Sequence, residues 1–125
     1  MSEEEEAVEL PKVPEISPRE LAEWIQTRPD LVLLDVREPY EFARVKITNE
    51  RVVYAPMSEL ARKYLEALPP PARDTSATLV VFCHHGIRSA QVTAWLLDQG
   101  WQSVYSLAGG IEAYARQVDP NIGFY

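Results

Sequence analysis

The chain is poor in the residues that usually carry polar chemistry. It has one cysteine, Cys83, and two histidines, His84 and His85, and the three are contiguous. A lone cysteine excludes an internal disulfide and suits a reducing compartment, so a cytoplasmic location is expected. Three contiguous ligands rarely converge on one ion, and no other cysteine or histidine is available, so no metal site and no cofactor are expected. No apolar run approaches the ~20 residues of a membrane span. The start, Met-Ser-Glu-Glu-Glu-Glu, is the opposite of a basic, apolar signal peptide. No basic stripe is present, which argues against nucleic acid as a partner. No internal repeat is visible.

The sequence has 125 residues, the size of one domain, and 46% of them are hydrophobic, enough for one core. The formal net charge is −7, and Glu3 to Glu6 and Glu9 supply most of it. Residues 1–13 therefore read as a flexible, solvated acidic leader and residues 14–125 as the domain.

Along the domain, strand and helix signals alternate. Ser17-Pro18-Arg19-Glu20 has the form of a capping box with proline at the first helical position, and Leu21, Trp24 and Ile25 follow at helical spacing. Leu31 to Leu34 is a short apolar run, as in a strand buried on both faces, and Asp35 falls at its end. Asp35 is expected to cap the following loop or pair with Arg37 or Arg44. A short helix is expected from Glu38 to Val45, with Phe42 inward, then a turn with Asn49 in the left-handed region and a strand from Arg51 to Ala55. Ser58 is expected to cap a helix carrying Leu60, Tyr64, Leu65 and Leu68, which Pro69-Pro70-Pro71 closes. Strands are expected at Thr78–Phe82 and Ser103–Leu107, with helices from Ser89 to Gln99 and from Ile111 to Gln117. Trp24, Trp95 and Trp101 are expected in the core or at its edge. The pattern predicts an α/β domain: a central parallel sheet of about five strands with helices on both faces.

The chemistry points to the stretch Phe82-Cys83-His84-His85-Gly86-Ile87-Arg88-Ser89, between a strand and a helix. The loop there would aim backbone N–H groups at one spot, and the helix N-terminus adds about half a positive charge. Gly86 suits a tight curl, Arg88 offers a fork of donors to an oxyanion, and Ser89 reads as the N-cap. Such surroundings favour thiolate over thiol at Cys83. His84 and His85 read equally as donor and acceptor recognition at the rim and as exposed rings whose backbone alone matters.

These residues resemble a known family. Cys83, Gly86, Arg88 and Ser89 match the active-site loop of the rhodanese-like sulfurtransferases, in which four residues separate cysteine from arginine. Leu33-Leu34-Asp35-Val36-Arg37-Glu38 with Tyr40-Glu41-Phe42 is similar to the family's early motif, and Leu107-Ala108-Gly109-Gly110-Ile111 to its late one. The stretch Val45 to Glu50 departs from the family pattern. The resemblance implies an enzyme of thiosulfate sulfurtransferase type. Cys83 would be the nucleophile and would carry a persulfide; His84, His85, Gly86, Ile87 and Arg88 would bind substrate. The donor would be thiosulfate or a persulfide, and the acceptor cyanide in an assay and a thiol or sulfur-carrier protein in the cell. The end, Val118 to Tyr125, is similar to that of rhodanese domains joined to adenylyltransferases, which suggests a protein acceptor. Two rival readings remain: a non-catalytic interaction module on this fold, which would typically have lost the cysteine, and a cysteine phosphatase or arsenate reductase, which needs five residues between cysteine and arginine.

Overall fold

The computed structural model describes residues 10–125. Most of the expected acidic leader, residues 1–9, lies outside the described residues. Five parallel strands form one sheet: β1 (Glu15–Ile16), β2 (Val32–Asp35), β3 (Val52–Tyr54), β4 (Thr78–Phe82) and β5 (Ser103–Leu107), in the order β1-β5-β4-β2-β3. Four α-helices join successive strands, α1 (Pro18–Thr27), α2 (Pro39–Phe42), α3 (Met57–Lys63) and α4 (Ile87–Asp98), and α5 (Gly110–Gln117) follows β5. The α/β architecture is the one expected. The strand without a sequence signal is β1, only two residues long and paired with β5 through Ile16 and Leu107.

Every residue of β2 and β4 is buried, which explains their unbroken apolar runs. Successive side chains go to opposite faces. Leu79 and Val81 join Leu34, Leu60, Val92, Leu96 and Trp101 on one side of the sheet. Val80 and Phe82 join Ile16, Leu21, Leu33, Ile111 and Tyr114 on the other. Trp101 is buried and donates from Nε1 to the Ala72 carbonyl at 3.0 Å, whereas Trp24 and Trp95 lie half-buried at the core edge.

The α1 capping box forms as expected. Ser17 Oγ accepts from Glu20 N at 3.1 Å and Glu20 Oε1 from Ser17 N at 3.0 Å. Four local expectations are corrected. The helix expected over Glu38–Val45 spans only Pro39–Phe42, and Glu41 rather than Phe42 is its buried residue. The turn at Asn49 does not use the left-handed region: Asn49 Oδ1 accepts from Arg51 N at 2.9 Å, a side-chain turn that achieves the same reversal. Ser58 does not cap α3, whose N-cap is Pro56; its Oγ instead donates to Glu38 at 2.6 Å. The helix expected to run to Leu68 stops at Lys63, because Tyr64 takes φ +56° and a 3₁₀ turn follows.

The chain leaves β2 towards β3 on one side and β4 towards β5 on the other. The strand order thus reverses between β2 and β4, where open parallel sheets form a crevice at the carboxyl edge. Register places Asp35 beside Phe82 at that edge, with Cys83 next in the chain.

Candidate active site

Only four residues, Cys83 to Gly86, separate β4 from α4. Gly86 is the N-cap of α4, at φ +103°, a conformation that side chains rarely tolerate. This corrects the expectation for Ser89, which lies inside the first helical turn and is fully buried. The tight curl bends the α4 N-terminus over the cysteine. Gly86 N and Ser89 N donate to Cys83 Sγ at 3.2 and 3.3 Å. An anionic sulfur accepts such bonds more strongly than a thiol does. Ser89 Oγ lies 3.5 Å from Sγ and 2.8 Å from Ser106 Oγ, so two hydroxyls continue the polar path into the protein.

A second helix secures the loop from the other side. At the start of α5, Ile111 N donates to the Cys83 carbonyl at 2.9 Å and Glu112 N to that of His84 at 3.2 Å. This approach is so close that a Cβ on Gly110 would overlap the His84 carbonyl and stand 2.7 Å from that of Cys83. Gly110 of the late pair thus lets one helix hold the loop's carbonyls while the other offers N–H groups to its sulfur.

Arg88 reaches across the crevice to α2. Its Nη1 and Nη2 donate to the two carboxylate oxygens of Glu41 at 2.6 and 2.8 Å. The bonds from Arg88 hold the Glu41 carboxyl down at about 2, against a burial that opposes ionisation. Beside this pair lies another. Arg37 donates through Nε and Nη2 to Asp35 at 3.0 and 2.8 Å, and both side chains are fully buried. Asp35 thus takes the structural role expected of it, with Arg37 and not Arg44 as its partner. Tyr125 joins the two pairs. Its hydroxyl accepts from Arg37 Nη1 at 3.1 Å and donates to Glu41 Oε1 at 3.0 Å. Burial pushes the Tyr125 phenol up to about 12, so it keeps its proton at neutral pH.

The two histidines and Tyr125 form a ring stack. Tyr125 lies 3.8 Å from His84, centroid to centroid, and His84 lies 3.9 Å from His85. His84 is half-buried, and its Nε2 has no hydrogen-bond partner among the described residues. Burial, followed by the neighbouring His85, lowers its pKa and favours the neutral ring. Glu112 brings a carboxylate to 3.7 Å from that nitrogen, and the His84, His85 and Glu112 ligand atoms lie within 4.8 Å of one another. The Glu112 carboxylate is already engaged by Arg116, whose Nε donates to Oε2 at 3.0 Å.

The structure therefore sets Cys83 beneath the N–H groups of Gly86 and Ser89, Arg88 on Glu41, and His84 between His85 and Tyr125, with Ile87 exposed. Sequence reasoning missed Glu41, Tyr125 and Ser106 as neighbours of the site. Glu41 stood within a recognised motif and could have been matched to Arg88 by charge. Tyr125 and Ser106 had no local signal.

Comparison with known proteins identifies the family. Residues 17–117 match the rhodanese-like domain family. A probable adenylyltransferase/sulfurtransferase of Mycobacterium tuberculosis, MoeZ, is 33% identical over 122 residues; the match takes in 97% of this chain but only 29% of the relative's length. A sulfurtransferase of Allochromatium vinosum is 35% identical over 104 residues, covering 83% of this chain and 90% of that one. Among solved structures, a rhodanese-related protein of Thermoplasma volcanium superposes with a TM-score of 0.67 at 30% identity, covering 84% of this chain and 93% of the other. The chain belongs to the rhodanese-like domain family.

Proposed function

We propose that the protein is a sulfurtransferase that carries sulfane sulfur as a persulfide on Cys83. The observation that carries this reading is the pair of backbone N–H groups, from Gly86 and Ser89, aimed at Sγ. They would hold either a thiolate or a persulfide sulfur without any titratable side chain taking part. The thiolate attacks the outer sulfur of a small donor, thiosulfate or a persulfide, and the donor's remainder leaves with the bonding electron pair. A thiophilic acceptor then removes the sulfur: cyanide in an assay, a thiol or a sulfur-carrier protein in the cell. The similarity to a MoeZ-type protein favours a protein acceptor. His84, His85, Gly86, Ile87 and Arg88 form the binding rim in this reading, and no cofactor is required. The proposed setting is a reducing cytoplasm; no helix among the described residues is long and apolar enough to cross a membrane.

The intact cysteine disfavours a purely non-catalytic module. The four-residue spacing between Cys83 and Arg88 disfavours a phosphatase. The test is intact mass after incubation with thiosulfate or an organic persulfide, followed by desalting. The expected result is an added mass of about 32 Da, one sulfur atom, on wild type. Cys83→Ser should show no adduct and no thiocyanate from thiosulfate and cyanide. Turnover above background in Cys83→Ser would refute the assignment.

A further inference from the structure

We infer that the site selects sulfur donors of low charge, organic persulfides and thiosulfonate monoanions, over the thiosulfate dianion, because Glu41 already answers the arginine that faces the loop. The inference rests on the sulfur-transfer reading and narrows its substrate class.

Arg88 commits both terminal nitrogens to Glu41, in a pair whose carboxylate side chain is only 5% exposed. Arg37 is committed to Asp35 with neither side chain exposed. Each cation is thus matched by a carboxylate, and Tyr125 bridges the two pairs without adding charge. Glu112 stands beside His84 and is matched by Arg116, whose Nη2 lies 2.7 Å from it, and His84 is held towards its neutral form by burial. With Arg116 counted, these groups sum to no net charge before Cys83 ionises, and only the α4 N-terminus answers the sulfur. A thiolate there adds one negative charge. A dianion must approach it with no uncommitted arginine among these groups to meet it, whereas a monoanion or a neutral persulfide meets half the repulsion or none. Exposed apolar surface lies nearby in the chain, where Ile87 and Tyr40, 54% and 70% exposed, precede Arg88 and Glu41.

With a persulfide donor R–S–SH the step is balanced. Cys83 Sγ attacks the terminal sulfur, the S–S bond breaks, and its electron pair leaves on R–S⁻, which takes a proton from water. Cys83 then carries S–SH. The transferred sulfur exchanges one sulfur partner for another, so no external oxidant or reductant enters.

The test compares thiosulfate with methanethiosulfonate, which delivers the same outer sulfur with one negative charge fewer. Loading of Cys83 is followed by intact mass and by release of sulfite or sulfinate, across potassium chloride concentrations. For wild type, kcat/KM for thiosulfate should hold or rise with salt, as screened repulsion requires; a steep fall with salt would mean attraction and overturn the inference. In Glu41→Gln, confirmed folded by circular dichroism, the preference for methanethiosulfonate should shrink by about fivefold or more, mainly through a lower KM for thiosulfate. An unchanged preference would also overturn it. If Glu41→Gln does not fold, the wild-type salt series decides alone. If neither donor loads Cys83, the transfer reading falls and this inference with it; if both load with the same salt dependence, only this inference falls.

Discussion

Two arginine–carboxylate pairs flank the Cys83 loop, made of the same groups and differing in depth. Asp35–Arg37 is sealed, with neither side chain exposed, at the end of β2. Glu41–Arg88 spans the mouth of the crevice, its arginine 30% exposed. The sealed pair joins residues two apart in the chain, and Asp35 also accepts from Arg37 N at 3.0 Å. The open pair joins residues on two helices. Local geometry therefore holds the first together, while the second reports whether α2 and α4 are correctly docked. A buried pair is costly to break and can be nearly neutral to replace whole; an open pair is cheaper to break and can meet a ligand.

The largest expected effect comes from breaking the sealed pair alone. Asp35→Ala would leave the Arg37 guanidinium buried without its counter-charge and should cost about 3–5 kcal/mol, read as the urea midpoint. Replacing both members, Asp35→Leu with Arg37→Met, should recover much of that loss. A double variant as unstable as the single one would show that the pair itself, and not the unpaired charge, supports the fold.

Glu41→Gln should cost less, about 2 kcal/mol at pH 7, because the amide keeps part of the hydrogen bonding to Arg88. Its pH dependence sharpens the contrast. The Glu41 carboxyl lies at about 2 in the folded protein, below the usual 4.5. The stabilisation it contributes is thus complete above about pH 4.5 and is lost as pH falls towards 2. The stability gap between wild type and Glu41→Gln should be flat from pH 7 to 5 and close on further acidification. A gap that stayed constant down to pH 2.5 would show that charge is not what the pair contributes.

Tyr125→Phe, which removes the hydroxyl between the pairs and keeps the ring on His84, should have the smallest effect, about 1 kcal/mol. Combined with Glu41→Gln, it should cost less than the two single losses together, since both remove the same contact. Strict additivity in this cycle would separate the two pairs energetically.

The elements most legible in the sequence were those that local physics specifies. The Ser17–Glu20 capping box, the buried runs of β2 and β4, and Gly86 all act within a few residues of themselves. Expectations failed where a distant partner intervened. Ser58 leaves the capping role for Glu38, 20 residues away, and Ser89 turns inward to meet Cys83 and Ser106. The strand β1 exists only because β5 offers it an edge.

From the sequence alone came the parallel α/β pattern, the cysteine proposed as nucleophile, and a loop short enough to curl beneath a helix. These depend on periodicity, on a single cysteine, and on a glycine that accepts positive φ. Only the tertiary structure decided how that sulfur is surrounded. Gly110 holds α5 against the loop carbonyls, Glu41 takes both arms of Arg88, and Tyr125 closes the wall from 41 residues beyond His84 and 84 beyond Glu41. Charge balance at a site is a sum over groups that folding brings within a few ångströms, and sequence spacing does not contain those distances.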